Sequence, residues 1–159
     1  MVAKPRLGDF PRTVAFSPDG RLLAIGEYGG GVVILSTRSW KPVRRGLENH
    51  RARVTALDFS PDGRHLLTGG ADGKVLLWDL ATRSRIGSSL TVERDAYLAA
   101  GFAPSGSFVF AIPHAGRAVR WDVRPAAWER HACLVAGRDL TKREWRDVLP
   151  SRPFRPVCG

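Results

Sequence analysis

The sequence has little cysteine, little lysine and no long apolar run. Cys133 and Cys158 are its two cysteines. They lack Cys-x-x-Cys spacing and have no clustered histidines beside them, which makes a poor metal site; buried free thiols are the ordinary reading, with their pairing left open. No apolar stretch approaches bilayer length, so no membrane contact is expected. The first ten residues, MVAKPRLGDF, contain no apolar segment of signal-peptide length. A cytoplasmic location is the expectation.

Lysine is confined to Lys4, Lys41, Lys74 and Lys142, although 25 Lys and Arg face 15 Asp and Glu for a net charge of +10. So basic a balance raises nucleic acid as a partner. Yet no block of five or six like charges occurs, and the arginines are spread through turns, strands and tail. A solvated basic surface is the simpler account, and nucleic-acid binding is the alternative function.

Signatures of catalysis are also missing. The glycines at Gly29–Gly31 and Gly69–Gly70 are followed by neither Lys-Ser/Thr nor a helix, which marks turns and not a phosphate loop. His65, His114 and His131 have no mutual spacing that suits a metal. The sequence assigns no catalytic residue, no metal ligand and no cofactor, and an enzyme is not expected.

What is present is a repeat. Phe16, Phe59 and Phe102 recur at an interval of 43 residues. Gly20, Gly63 and Gly106 keep that interval, as do the apolar runs ending at Leu35, Trp78 and Trp121, with no gap. A fixed period of this size marks a repeat architecture. SPDG at Ser17–Gly20 and Ser60–Gly63 reads as a type I turn with Pro second and Gly last, and APSG at Ala103–Gly106 keeps Pro104 and Gly106.

Around these turns the pattern predicts strands at Thr13–Ser17, Leu22–Gly26, Val32–Leu35 and, limited by Pro42, from Val43 onward. The second repeat gives Val54–Ser60, Leu66–Gly69, Val75–Trp78 and Arg85–Leu90; the third gives Phe108–Ile112 and Ala118–Asp122. Val54, Leu57 and Phe59 are spaced three and then two, which a β-bulge would bring onto one face. Short strands with a turn signal about every ten residues argue for an all-β propeller or barrel.

Beyond Val123 the pattern becomes helical. Pro125 suits the first turn of a helix over Ala126–Ala136, and Gly137 a stop. Thr141 and Glu144 form a capping box, with Leu140 and Trp145 spaced as a hydrophobic staple and Pro150 ending the helix. A helical hairpin is the expectation.

These repeats, over Phe10–Val123, resemble the WD-repeat β-propeller family. The resemblance implies four-stranded antiparallel blades and a buried His–Ser/Thr–Asp–Trp network, a structural tetrad that falls on His50, Thr68, Asp72 and Trp78. Asp72 could orient and charge-assist His50, Thr68 could relay, and the Trp78 indole needs a buried acceptor. The matching positions are Leu7, Ile25, Gly29 and Leu35 in the first repeat, and Glu93, Ala111, Ala115 and Trp121 in the third. No nucleophile motif accompanies His50 and Asp72, so the pair reads as structural.

Members of the family usually meet partners at the turn before the third strand and the loop before the first. The bulky residues there are Phe10, Tyr28, Arg51, Arg53, Arg94 and His114, of types that anchor interfaces. The tail, Trp128–Cys158, is similar to the segment closing many bacterial WD-repeat propellers, including those ending STAND-class signalling NTPases, which implies a C-terminus.

The expected organisation is a basic leader at 1–9, blades at 10–47, 48–92 and 93–124, and a helical tail at 125–159 packed on the last blade. The fold class is all-β: a partial WD-repeat propeller of about three four-stranded blades with a C-terminal helical hairpin. The expected function is a non-catalytic scaffold for a protein partner, as the C-terminal part of a bacterial signalling or regulatory propeller. Rings of that family usually have about seven blades, so a shorter stack exposes two apolar faces. A longer propeller, copies of the chain, or an incomplete partner propeller could cover them.

Overall fold

In the computed structural model, which describes residues 10–44, 47, 50–92, 98–114, 117–124, 126–127, 137–139, 141–143 and 156, the repeat becomes three stacked sheets. The first contains β1 (Pro11–Phe16), β2 (Leu22–Glu27), β3 (Val32–Ser36) and β4 (Pro42–Arg44). The second contains β5 (Val54–Phe59), β6 (His65–Gly70), β7 (Lys74–Asp79) and β8 (Ser84–Thr91). The third contains β9 (Leu98–Phe102), β10 (Phe108–Pro113) and β11 (Val119–Asp122). Each sheet is ordered as the chain runs, so every strand pairs with its sequence neighbour.

The turns show why. In the first sheet the Gly20 N–H donates to the Ser17 carbonyl at 2.8 Å, with Gly20 at φ 69°, a left-handed conformation that glycine adopts without a Cβ penalty. The Ser17 hydroxyl donates to Asp19 at 2.6 Å and accepts from the Leu22 N–H at 2.9 Å, so one side chain ties both ends of the turn. Ser60, Asp62 and His65 repeat this latch in the second sheet, with 2.6 and 2.9 Å bonds. Ala103 has no hydroxyl, so the third turn lacks that latch and keeps the Gly106 N–H to Ala103 carbonyl bond, with the Ser107 N–H donating to Ser105 Oγ at 3.3 Å.

The bulge lies where the apolar spacing puts it. The register between β5 and β6 shifts between Val54 and Ala56. Val54, Leu57 and Phe59 thereby join one buried cluster with Ala24, Val32 and Ile34 of the first sheet and Leu66, Leu76 and Trp78 of the second. The first strands carry the stacking: β5 packs against both β1 and β9.

Among the described residues the third sheet shows three strands, β9 to β11. One expectation needs correction. The helical hairpin is not supported: no helix is established among the described residues, where 126–127 and 142–143 alone take helical backbone. Most of that tail, with Cys133 and Cys158, and the leader at 1–9 lie outside the described residues.

By compactness the chain divides into Met1–Trp121 and Asp122–Gly159. The three sheets, up to Trp121, make the first unit. In the second, the Arg124 guanidinium forks onto Asp122, with Nε at 2.9 Å from one carboxylate oxygen and 3.1 Å from the other. Among the described residues no helix is long and apolar enough to cross a membrane.

Candidate functional site

The second sheet brings four polar side chains together at its loop end. Thr68 stands on β6, Trp78 on β7, Asp72 in the turn between them, and His50 in the loop before β5. The Trp78 indole N–H donates to Thr68 Oγ1 at 3.1 Å, and Thr68 Oγ1 lies 2.8 Å from His50 Nε2. His50 Nδ1 lies 3.0 Å from Asp72 Oδ1. With a carboxylate on one side, Nδ1 is assigned the proton; Nε2 then accepts from the Thr68 hydroxyl, whose oxygen accepts from the indole. The donors run in one direction, Trp78 to Thr68 to His50 to Asp72.

Asp72 also takes the Arg51 N–H on Oδ2 at 3.0 Å and the Lys74 N–H on Oδ1 at 3.2 Å. Burial pushes its carboxyl up, but the Arg51 amide and the His50 ring outweigh burial and hold it below the usual range. Both imidazole nitrogens are engaged and the ring is buried, so this network braces the β6–β7 turn and the loop before β5. A Cβ on Gly70 would lie 2.3 Å from His50 Nδ1, so only glycine lets the ring reach this place. Among the described residues no group of three or more His, Cys, Asp or Glu could hold a metal.

The partner-binding candidates fall around the same end of the sheets, and the structure joins some of them. The Tyr28 N–H donates to the Phe10 carbonyl at 3.0 Å, and 43 residues on, the Ala71 N–H donates to the Arg53 carbonyl at 2.9 Å. Phe10 is 79% exposed and Tyr28 50%, as befits anchors and not core. Arg51 and His114 are exposed and Arg53 is half-buried. Arg94 lies outside the described residues.

The sequence reading missed Arg12. Its guanidinium carbon sits 5.2 Å from the centre of the Tyr28 ring, a cation–π arrangement that holds the two side chains together. Proximity to the β1–β2 end was the available signal, since Pro11 pairs with Glu27 next to Tyr28.

Asp58 and Thr55 were missed as well. Asp58 Oδ2 accepts from the Phe102 N–H at 2.7 Å, and the Thr55 hydroxyl donates to the Leu98 carbonyl at 2.8 Å; both bonds cross from the second sheet to the third. The repeat held the clue. Asp58 is aligned with Ala15 and Gly101, and a lone carboxylate in an apolar strand needs a partner.

Three stacked antiparallel sheets on a constant period, packed through their first strands, define a fold of the β-propeller kind. Residues 40–79, the stretch holding the whole polar network, match the family model described as WD domain, G-beta repeat. The Cps50 (Swd1) β-propeller domain of Myceliophteria thermophila is similar over 81% of this chain and 45% of its own, at 25% identity and a TM-score of 0.63. The hydrazine synthase of Kuenenia stuttgartiensis shares the fold over 71% of this chain and 32% of its own, at 21% identity and a TM-score of 0.64. The chain thus spans less than half the length of either. No curated protein matches its sequence.

Proposed function

We propose that the chain is a non-catalytic scaffold that holds a protein partner at the loop end of its sheets, in a bacterial signalling or regulatory setting. The exposed side chains of Phe10, Arg12 and Tyr28 carry this reading: two aromatic residues and a guanidinium stacked on Tyr28 stand exposed at the loop end of the first sheet. Large side chains of this kind gain contact area at little entropic cost, and they dominate binding where they are desolvated. Arg51, Arg53 and His114 extend the same surface. The tail's likeness to segments that close bacterial propellers supports the setting.

The test is retention of partners from the source cells on immobilised chain, wild type against Phe10→Ser/Tyr28→Ser. A protein held by the wild type and lost from the variant, at both low and moderate salt, is the expected result. Equal retention by both would place the interface elsewhere. Retention of DNA or RNA that falls steeply with log salt would replace this reading with a nucleic-acid-binding propeller.

A further inference from the structure

The two outermost sheets each present an apolar strip. On the first sheet it is Val14 and Phe16 of β1, 58% and 60% exposed; on the third it is Phe110 and Ile112 of β10, 40% and 55% exposed. The repeat shows what each strip is. In the second sheet the positions of Val14 and Phe16 hold Leu57 and Phe59, buried against Ala24 and Ile34 of the first sheet. The position of Phe110 holds Leu67, which is fully buried, and that of Ile112 holds Gly69, where a Cβ would lie 3.3 Å from Leu98 of the third sheet. The exposed strips are therefore the two halves of a contact that the chain already makes twice within itself.

We propose that a second copy of the chain covers both strips at once, the first sheet of each copy packing on the third sheet of the other to close a six-bladed ring. The inference rests on the blade reading of the three sheets. A two-fold pair leaves neither strip open, whereas a single foreign sheet would cover one. Two copies of three sheets fall within the four to eight blades of propellers. One copy spans 45% of the Swd1 propeller domain, so two come close to its length. The contact is not an identical third instance. Ile112 supplies bulk where Gly26 and Gly69 leave room, and it faces a strand that begins with Pro11 instead of Val54, the side chain that fills the space over Gly26.

Sedimentation equilibrium of the 159-residue chain tests this, with circular dichroism recorded on each sample. The expected species has twice the 17.4 kDa of one chain. Phe16→Arg and Phe110→Glu, both at exposed positions, should each weaken the pair by about 30-fold or more while leaving the β-sheet spectrum unchanged. The double variant Phe16→Arg/Phe110→Glu sets opposite charges across the contact and should recover much of the loss. A folded monomer at every concentration, an open-ended series of larger species, or a dimer indifferent to both substitutions would overturn the ring. Loss of β-sheet signal in the wild type would overturn the blade reading itself.

Discussion

The first and second sheets share strand order, turn chemistry and apolar phase, and differ in how their loop ends are held. In the second, His50, Thr68, Asp72 and Trp78 link two strands, a turn and a preceding loop by directed hydrogen bonds. In the first, the positions of Thr68 and Trp78 are Ile25 and Leu35, both buried, and Gly29 stands for Asp72. Apolar side chains pack from any direction, whereas a hydrogen-bonded network fixes one geometry and is costly when broken. The second sheet is therefore the rigid member. The first leans on it: a Cβ on Gly30 would lie 2.3 Å from the His50 carbonyl oxygen, so its β2–β3 turn rests on the loop that the network braces.

The largest effect should come from breaking that rest. Gly30 has φ 88° and no room for a methyl group against backbone, so Gly30→Ala should cost about 3 kcal/mol in chemical denaturation. A melt unchanged by this substitution would mean the two sheets are not coupled there.

Asp72→Ala comes next, at about 2 kcal/mol, because it strands a buried imidazole N–H and the Arg51 amide. Its pH counterpart has a definite sign. A carboxyl held below its unfolded value of 3.8 contributes stability above that pH and loses it as pH falls through the folded value. Stability should therefore drop on acidification below about pH 4, and the drop should be shallower in Asp72→Asn. Asp19 and Asp62 add to the same limb, each held down first by its serine hydroxyl. Parallel acid limbs in the wild type and Asp72→Asn would assign the effect to those turns instead.

Asp58→Ala should cost about 1 kcal/mol by removing the clip to the Phe102 amide. Hydrogen exchange should localise that loss to β9, leaving the first sheet as protected as before. Uniform loss of protection would show the three sheets opening together.

The smallest expected change is a gain. Trp40 and Arg83, 43 residues apart, both adopt the left-handed region, at φ 55° and 64°. Arg83→Gly relieves that strain in the second sheet and should raise stability by about 0.5 kcal/mol, read as a small increase in Tm. A fall would mean that the arginine's own contacts outweigh its backbone strain.

Much of this was legible because it is local. Gly20 and Gly63 end the two SPDG turns at φ 69°, and the three-then-two spacing of Val54, Leu57 and Phe59 places the bulge. Strand ends drifted by a residue or two, β1 starting at Pro11 and β7 at Lys74, because ladder bonds outlast apolar alternation. Phe10, Tyr28 and Arg51, chosen from the sequence by residue type and place in the repeat, lie exposed at the loop end. Arg12 was not, because its stacking on Tyr28 depends on where two strands bring distant side chains. Arg94 and most of the tail lie outside the described residues.

By itself the sequence determined the period, the turns and which faces are apolar, since each follows from side-chain chemistry over a few neighbouring residues. Only the tertiary structure decided which polar groups meet between sheets: Asp58 with the Phe102 amide, Thr55 with the Leu98 carbonyl. A hydrogen bond needs its two atoms within about 3 Å and aligned, and across two sheets only their stacking sets that distance.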